Sequence, residues 1–536
     1  MSQHNIAEDI ADNSTASNKI EEYDEKNKEI NDYSNSSVDL DGSTKCSDID
    51  YLQDSDVVLS KKINIINDAI DEIGFTWYHA KLFCLAGFGY SADSQISMVQ
   101  SAVQTYINYQ YGRSYPISVE LCYAGLFAGA IFWGATADLI GRKIAFNTSL
   151  FLAAIFGFFA GGSSSYGMYG VFVFLANFSL GGNLALDVSV FLEFVPHKYQ
   201  WMNTLMASWW AVGQTIMELT AWAFIPNFSC SGPENCVMSE NRGWRYTWYL
   251  NSGIVLVAAC LRMFVFQLNE TPKFLVSNKR DAEAVEVLQG IAKQYNRSCS
   301  LTLEELEDCG EIITNEDFMK KGGSSWGAAY RQVKHHFGLL YANKTVGRST
   351  SLLLFSWFGI GITYGIYNNF LYAFLASRNV DTGSTPYQIY RDATLECFFS
   401  IFGPPIAVGL MFIPKVGRRG AMAIGGIIAM AFLFGYTKVT NEIGNVFMSS
   451  LCYIFINIYY GTLYAYTPEV LASANRATGA SLALAMNRIA GMLVPVIAYY
   501  SNTASAAPIY VCGALIGAIA LSALLFPFEP SRRRSV

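Results

Sequence analysis

The sequence has little charge. Asp, Glu, Lys and Arg together make up 15% of its 536 residues, whereas apolar residues make up 52%. A soluble globular chain is usually about a quarter charged, so a chain this long could not cover a compact body with a water-compatible surface. The composition excludes an ordinary soluble enzyme, a coiled coil and a disordered protein, and it indicates a protein with many membrane spans.

Residues suited to metal or nucleophilic chemistry are also scarce. The chain has five His and eleven Cys, with no CxxC and no Cys/His pairing at zinc spacing. We find no set of nucleophile, histidine and acid, so we expect neither an enzyme nor a bound metal or cofactor. One cysteine pair is an exception, because Cys230 and Cys236 flank a short polar loop that a disulfide could close on an oxidising side of a membrane.

The net charge of −7 is divided unevenly along the chain. Residues 1–75 hold 18 acidic and 6 basic residues; 43 minus 18 leaves 25 acidic residues elsewhere, and 36 minus 6 leaves 30 basic ones. The composition predicts a disordered acidic cytosolic tail over 1–75. Its last stretch, from Val57 to Phe75, has helical periodicity and predicts a short amphipathic helix leading into the membrane. No apolar segment follows the N-terminus, so we expect the first internal span to direct membrane insertion.

Twelve long apolar windows follow the tail, each long enough for a helix across a hydrocarbon core of about 30 Å. They lack the two-residue alternation of membrane strands, which favours helices. The windows, numbered spans 1 to 12, cover 77–99, 119–137, 144–163, 169–192, 204–225, 246–267, 349–375, 394–413, 420–437, 445–466, 479–500 and 508–527.

The placement of Lys and Arg predicts the orientation. Basic residues concentrate in the short loops that face the cytosol if both termini are inside, which is the usual bias of such loops. These residues are Arg142, Lys143, Lys198, Lys415, Arg418, Arg419, Arg476 and Arg532 to Arg534. We therefore expect a cytosolic linker with short helices over 269–348, between spans 6 and 7, and a basic cytosolic C-terminal tail over 529–536.

An internal repeat relates the two ends of the chain. Gly141-Arg142-Lys143 recurs as Gly417-Arg418-Arg419, an offset of 276 residues, and the same offset takes Glu120 to Glu396 and Glu193 to Glu469. Each half would then have an acidic residue opening its second span and a glutamate ending its fourth. The repeat predicts two six-helix halves in parallel, over 76–268 and 349–528.

Several motifs resemble those of one transporter superfamily. The stretch from Gly134 to Lys143 resembles the major facilitator loop signature G-x-x-x-D-x-x-G-R-[RK]. The stretch from Gly181 to Pro196 resembles a pattern of fungal sugar-porter-type carriers related to synaptic vesicle glycoprotein and organic-ion transporters, and 269–275 and 466–479 resemble further motifs of that superfamily. The chain departs from phosphate carriers at Asn183, where they have an aspartate.

This resemblance implies an all-α polytopic membrane protein with twelve transmembrane helices in two parallel six-helix repeats, the major facilitator fold. It also implies a cytosolic gate in each half. Asp138, Arg142 and Glu193 would form the first gate, and Arg418, Glu469 and Arg476 the second. Alternatively, the two turns that combine a glycine with two basic residues only set the orientation of the protein in the membrane.

Ionisable residues inside apolar spans are costly and usually face a polar cavity. Asp93 lies in span 1, Asp187 in span 4, Glu218 in span 5 and Arg488 in span 11. A carboxyl group there can bind and release a proton as the site alternates between two aqueous phases. The alternative is a structural ion pair, for example with Arg488, which could instead bind an anionic solute.

Polar and aromatic residues cluster in span 7 and on one face of span 5. Tyr364, Asn368 and Asn369 suit a hydroxyl-rich or carboxylate solute through amide hydrogen bonds and ring stacking, although packing would explain them equally well. Glu218 follows Gln214 by one helical turn. We expect Asn183, Gln214, Asn368, Asn369 and Arg488 to shape the solute site. Trp209 and Trp210 are predicted to be an interfacial or packing pair rather than part of a ligand site.

The sequence thus predicts a secondary transporter that moves a small polar solute, such as a sugar, an organic acid or an organic ion, by alternating access coupled to protons. A non-transporting nutrient sensor on the same fold is the alternative, with the tail and linker docking signalling partners. We expect a monomer in the plasma membrane whose partners are the solute, protons and the lipid bilayer, and no nucleic acid.

Overall fold

The computed structural model describes residues 57–113, 117–140, 142–234, 236–265, 269–310, 338, 340–341, 343–379, 385–439, 441–471, 476–500 and 507–529. The predicted acidic tail up to residue 56 and the C-terminal tail beyond residue 529 lie outside these ranges. All regular elements within the described ranges are helices. Nine helices of this part are long and apolar enough to cross a membrane.

The helices occur at all twelve predicted spans. Nine spans are single helices: Trp77–Tyr111 (span 1), Ile117–Ile140 (span 2), Arg142–Gly162 (span 3), Met202–Phe228 (span 5), Lys344–Asn379 (span 7), Gly417–Tyr436 (span 9), Glu442–Val470 (span 10), Arg476–Tyr500 (span 11) and Ala507–Leu524 (span 12). The other three are built from two pieces: Tyr166–Leu180 and Asn183–Phe194 (span 4), Gly243–Cys260 and the π-helical turn Leu261–Val265 (span 6), and Pro386–Ser400 and Gly403–Met411 (span 8).

The ends of span 1 are set by local chemistry. The backbone N–H of Thr76 donates to Nδ1 of His79 at 3.0 Å, so the first turn is capped from within. Nε2 of the same imidazole then donates to the carbonyl oxygen of Phe194 at 2.9 Å, which fixes the start of span 1 against the end of span 4. Gly112 ends the helix in the left-handed conformation, with φ of 60°.

Close packing against span 2 coincides with the break in span 4. A Cβ atom on Gly181 would lie 2.6 Å from the backbone nitrogen of Ala130, and one on Gly182 would meet Trp133. Only glycine therefore lets the two spans approach this closely. The second piece of span 4 begins directly after this contact and carries Asp187 into the bundle.

Span 8 differs from the prediction. The apolar window suggests a start at 394, but the helix begins at Pro386, after the N-cap Thr385. Its first turns carry Arg391 and Asp392, which pair with each other at 2.7 Å and so tolerate a mostly apolar setting. The expectation that Glu396 opens the span is therefore wrong: it lies ten residues beyond the helix start and is 1% exposed.

One end of the bundle, called here the linker face, carries the connection between the halves. The linker forms the short helices Pro272–Ser277, Asp281–Gln294 and Leu303–Glu307. The amphipathic helix predicted at the end of the tail is present over Val57–Ile73 and packs against them. Lys62 forms an ion pair with Asp281 at 2.5 Å.

The opposite end, called here the disulfide face, carries the Cys230–Cys236 bond, which forms as predicted. Spans 1–6 and spans 7–12, called here the first and second halves, contact each other at both faces. Near the linker face, the hydroxyl of Ser208 donates to the carbonyl of Ile401 at 3.3 Å. Near the disulfide face, the hydroxyl of Tyr390 donates to the carbonyl of Ala102 at 2.7 Å. The two halves therefore contact each other on both sides of the middle of the bundle.

Candidate functional site

A small cavity lies between the halves at mid-depth. Helices from both halves line it, because spans 1, 2 and 5 face spans 7, 10 and 11 there. Its wall carries hydroxyl, aromatic and cationic groups, which include Ser97, Ser101, Trp210, Tyr364, Tyr460 and Arg488. Two of the predicted solute-site residues, Tyr364 and Arg488, therefore line this first cavity.

Asp93 and Arg488 face each other across the two halves beside this cavity. Nη2 of Arg488 lies 3.8 Å from Oδ2 of Asp93, and the two side chains are 5% and 0% exposed. That separation exceeds a hydrogen bond, and neither carboxylate oxygen of Asp93 accepts a hydrogen bond within the described part of the chain. The two charges thus attract each other without a fixed hydrogen-bonded geometry.

Asp187 has a different partner from the one considered at the sequence level. It forms an ion pair with Arg262, and both side chains are fully buried. The second carboxylate oxygen accepts from Nδ2 of Asn183 at 2.9 Å. Oδ1 of Asn183 accepts in turn from the hydroxyl of Ser149 at 3.3 Å. Asn183 therefore orients Asp187, and the whole network lies within the first half.

Sequence reasoning missed Arg262, which the π-helical turn at the end of span 6 carries into the bundle. The sequence did contain a signal for it, because Arg262 is a basic residue within a predicted apolar window, and such a residue needs a counter-charge.

A glycine on span 1 makes room for the Asp187–Arg262 pair. A Cβ atom on Gly89 would lie 2.7 Å from Cγ of Asp187, so a larger residue there would displace the carboxylate.

A second small cavity lies on the disulfide-face side of the first. Its wall includes the predicted Gln214, Glu218 and Asn368, and also Glu396, which the sequence analysis used only as a repeat marker. Oε1 of Glu396 accepts from the hydroxyl of Ser449 at 2.5 Å. Its Oε2 has no hydrogen-bond partner among the described residues.

Hydrogen bonds link residues that line the two cavities. The hydroxyl of Tyr364 donates to Oε1 of Gln214 at 2.8 Å, and Nε1 of Trp210 donates to the Tyr364 oxygen at 3.3 Å. Trp210, predicted to be an interfacial or packing residue, thus belongs to the cavity wall. Asn368 donates to the backbone carbonyl of Tyr364 at 2.9 Å and accepts from the hydroxyl of Tyr453.

Two of the residues predicted for the second gate, Arg418 and Glu469, form an ion pair near the linker face. Two nitrogens of Arg418 contact the two carboxylate oxygens of Glu469, at 2.5 and 2.7 Å. Glu529 accepts from the backbone nitrogens of Arg418 and Arg419 at the start of span 9, at 3.0 and 3.2 Å. Glu193, predicted for the first gate, is buried at the end of span 4. The side chains of Asp138, Arg142, Asn369 and Arg476 lie outside the described part of the structure, and their roles stay predictions.

Solved structures with this arrangement of helices include the xylose transporter XylE from E. coli. In its partially occluded inward-open conformation XylE matches 84% of this chain and 98% of its own, with a TM-score of 0.61 and 14% sequence identity. A second structure of XylE, described as a proton:xylose symporter bound to 6-bromo-6-deoxy-D-glucose, matches with a TM-score of 0.57 at 16% identity. At such low identity the likeness shows the fold alone, which is the twelve-helix major facilitator fold.

Sequence comparisons reach the same superfamily. The family "Sugar (and other) transporter" matches residues 84–529. The chain is 38% identical to "MFS siderochrome iron transporter 1" from Ceriporiopsis subvermispora, over 90% of this chain and 93% of that protein. It is 31% identical to "Major facilitator-type transporter hxnZ" from Emericella nidulans, over 87% of each. The chain therefore belongs to the sugar (and other) transporter family of the major facilitator superfamily, and it is a multi-pass membrane protein that acts as a secondary transporter.

Proposed function

We propose that this transporter couples the movement of a small polar solute to protons, with Asp93 as the proton-carrying group and Arg488 as the solute-binding group. The observation that supports this most directly is the pair itself. The two charges lie 3.8 Å apart beside the first cavity, and they come from opposite halves. Alternating access moves the halves against each other, so the separation of this pair changes during the cycle.

The chemistry of the pair provides the coupling. A charged carboxylate in this apolar setting depends on Arg488 for stabilisation, whereas a protonated Asp93 does not. Protonation of Asp93 therefore releases Arg488 to bind the solute, and departure of the solute restores the attraction between the two side chains. Gln214, Tyr364, Asn368 and Asn369 would bind the remaining polar groups of the solute, and Glu218 would lie along its path.

We assign Asp187 a positioning role instead. Its partners Arg262 and Asn183 belong to the same half, so movement of one half against the other leaves the network intact. The two gate clusters, Asp138 with Arg142 and Glu193, and Arg418 with Glu469 and Arg476, would hold the ends of the spans on the linker face.

The names of related proteins support the class of solute. They include a siderochrome iron transporter, an organic cation/carnitine transporter and a niacin transporter, and a structural neighbour is a proton:xylose symporter. All of these are transporters, which favours transport over sensing and over catalysis. A sugar, an organic acid or an organic ion as the solute of this chain is consistent with these names.

We also propose a monomer in the plasma membrane with both termini in the cytosol. The basic short loops and the linker lie on one face, and the Cys230–Cys236 bond lies on the other. Disulfides persist in oxidising compartments, which supports a cytosolic linker face and an extracellular disulfide face.

Uptake by the purified protein in proteoliposomes tests this function. A panel of sugars, organic acids and organic ions is offered with and without an inward proton gradient. We expect the wild type to accumulate a solute faster with the gradient, and Asp93→Asn to lose this acceleration while still exchanging solute across the membrane. Asp187→Asn, where it folds, should keep the acceleration. Full gradient-driven accumulation by Asp93→Asn would refute the proton role, and ligand binding without any flux would indicate a sensor.

A further inference from the structure

We infer that the solute carries a carboxylate at one end and a cationic group at the other, and that it binds across both cavities. The inference rests on the proposed function, because it names the class of solute for the same site. Two observations carry it: the two cavities have opposite charge, and their spacing suits a small molecule that is charged at both ends.

Once Asp93 is protonated, the charges of the two cavities differ in sign. Arg488 lines the first cavity, and its Nε and Nη2 atoms donate no hydrogen bond within the described part of the chain. Glu218 and Glu396 line the second, and every lining residue found there apart from these two is uncharged. The first cavity therefore suits a carboxylate, which can accept a charge-assisted pair of hydrogen bonds from a guanidinium. The second suits a cation.

The offset between the cavities is one helical turn. On span 5, Trp210 lines the first cavity and Gln214 the second; on span 7, Tyr364 lines the first and Asn368 the second. Each step is four residues, or a rise of about 6 Å along a helix. Ser101 borders both cavities, so they adjoin directly. A solute whose charged ends are separated by three to five methylene groups spans this distance.

Glu396 provides the strongest argument for a cationic group. Its side chain comes from the second half and Glu218 from the first, so a cation between them contacts both halves at once. Oε1 of Glu396 already accepts from Ser449, whereas Oε2 has no partner among the described residues and is buried. A buried carboxylate oxygen without a partner is costly. An ammonium group supplies both the hydrogen bond and the compensating charge, whereas the hydroxyl of a neutral sugar supplies only the hydrogen bond.

Thermal unfolding of the purified full-length protein provides the test. The probes are 4-aminobutyrate, 5-aminopentanoate and 6-aminohexanoate, each beside the matching monocarboxylate and the matching n-alkylamine, with xylose as a neutral probe. We expect at least one amino carboxylate to raise the unfolding temperature more than its singly charged analogues and xylose. Titration should then show an affinity loss of at least about tenfold in Glu396→Gln, the effect of losing one charge-assisted contact.

The variants separate the two ends of the solute. Glu396→Gln should bind the amino carboxylate and the plain carboxylate equally, and Arg488→Gln should bind the amino carboxylate and the alkylamine equally. Ser356→Ala, on a hydroxyl that faces Ser522 within the second half, is the control and should keep the wild-type preference. Equal binding of amino carboxylates and monocarboxylates by the wild type, tightest binding of xylose, or no shift with any probe would overturn the inference.

Failure of this inference about the solute can be distinguished from failure of the proposed proton coupling. If the protein accumulates a neutral sugar or a monocarboxylate with a proton gradient that requires Asp93, the proton role stands and the solute class is wrong. If an amino carboxylate binds and depends on Glu396, but its uptake ignores both the gradient and Asp93, the solute class stands and the proton role is wrong.

Discussion

Replacing Asp187 with asparagine should destabilise the protein by about 3–5 kcal/mol, because the change leaves a buried arginine without its counter-charge. Both side chains of the Asp187–Arg262 pair are fully buried. Nε and Nη1 of Arg262 find no acceptor among the described residues, so the Asp187 carboxylate is the anion that balances this guanidinium. An arginine in a protein does not lose its proton, and the variant cannot escape the cost by becoming neutral.

The reverse substitution should cost less. Arg262→Gln leaves a carboxyl group that can take up a proton and become neutral, and the protonated group can still accept from Asn183. In the double variant Asp187→Asn/Arg262→Gln both charges are absent. Replacing a buried ion pair with neutral groups is often close to neutral in stability. The double variant should therefore lose much less stability than the sum of the two single variants.

Denaturant and thermal unfolding of the purified protein in detergent measure these differences. Arg280→Gln is the matched control, because it removes the ion pair of Arg280 with Glu283, whose side chains are about half exposed. An exposed pair contributes about 0–1 kcal/mol, so this variant should unfold almost like the wild type. Additive losses in the double variant, or an Asp187→Asn protein as stable as the control, would refute the assignment of this pair.

Three other contacts are testable by single substitutions. Gly89→Ala should lower the unfolding temperature by pushing the Asp187 carboxylate away from Arg262, whereas Gly167→Ala, with open space around its Cβ, should not; thermal unfolding of both variants measures this. Lys62→Met leaves Asp281 without its cation, and limited proteolysis should then cut the helix Val57–Ile73 faster than in the wild type. Hydrogen bonds from the backbone and hydroxyl of Ser300 hold the pKa of Glu72 below its usual value. Because the pKa is lowered in the folded state, the contact is fully present above about pH 4.5 and is lost as the pH falls through the lowered pKa. Hydrogen exchange of this helix should therefore rise on acidification, and Glu72→Gln should abolish that rise.

The spans could be predicted because the signal for them is local. An apolar run of about 20 residues must be helical to satisfy its backbone in a bilayer, and all twelve windows contain helices. The boundaries were less predictable where charged residues lie inside a helix. Span 8 starts eight residues before its window because Arg391 and Asp392 neutralise each other. The window therefore misplaced Glu396, and its role in the second cavity was missed with it.

The pairing of charges could not be predicted, because it depends on contacts between distant parts of the chain. The sequence identifies Asp93, Asp187 and Arg488 as intramembrane charges but does not say which carboxylate meets the arginine. The partner of Asp187 lies 75 residues away, on a π-helical turn. Such a turn has no strong sequence signature and rotates Arg262 into the bundle. The cavity residues on span 5 and span 7 were found more readily, since residues four apart share one helix face.

The distinction between contacts within one half and contacts across the halves leads to a last prediction. When the halves rock against each other, only groups that contact each other across the two halves move apart. A Cβ atom on Gly134 would lie 3.0 Å from Cβ of Ser481, across the halves near the linker face, and one on Gly157 would lie 3.3 Å from Cβ of Ser252, within the first half. Both distances are close to the Cβ separation of about 3.5–4.5 Å in a disulfide. Oxidation of Gly134→Cys/Ser481→Cys should stop transport and a reductant should restore it, whereas oxidised Gly157→Cys/Ser252→Cys should transport normally. Uptake that continues with the cross-half pair fully oxidised would mean that the two halves do not separate at the linker face during the cycle.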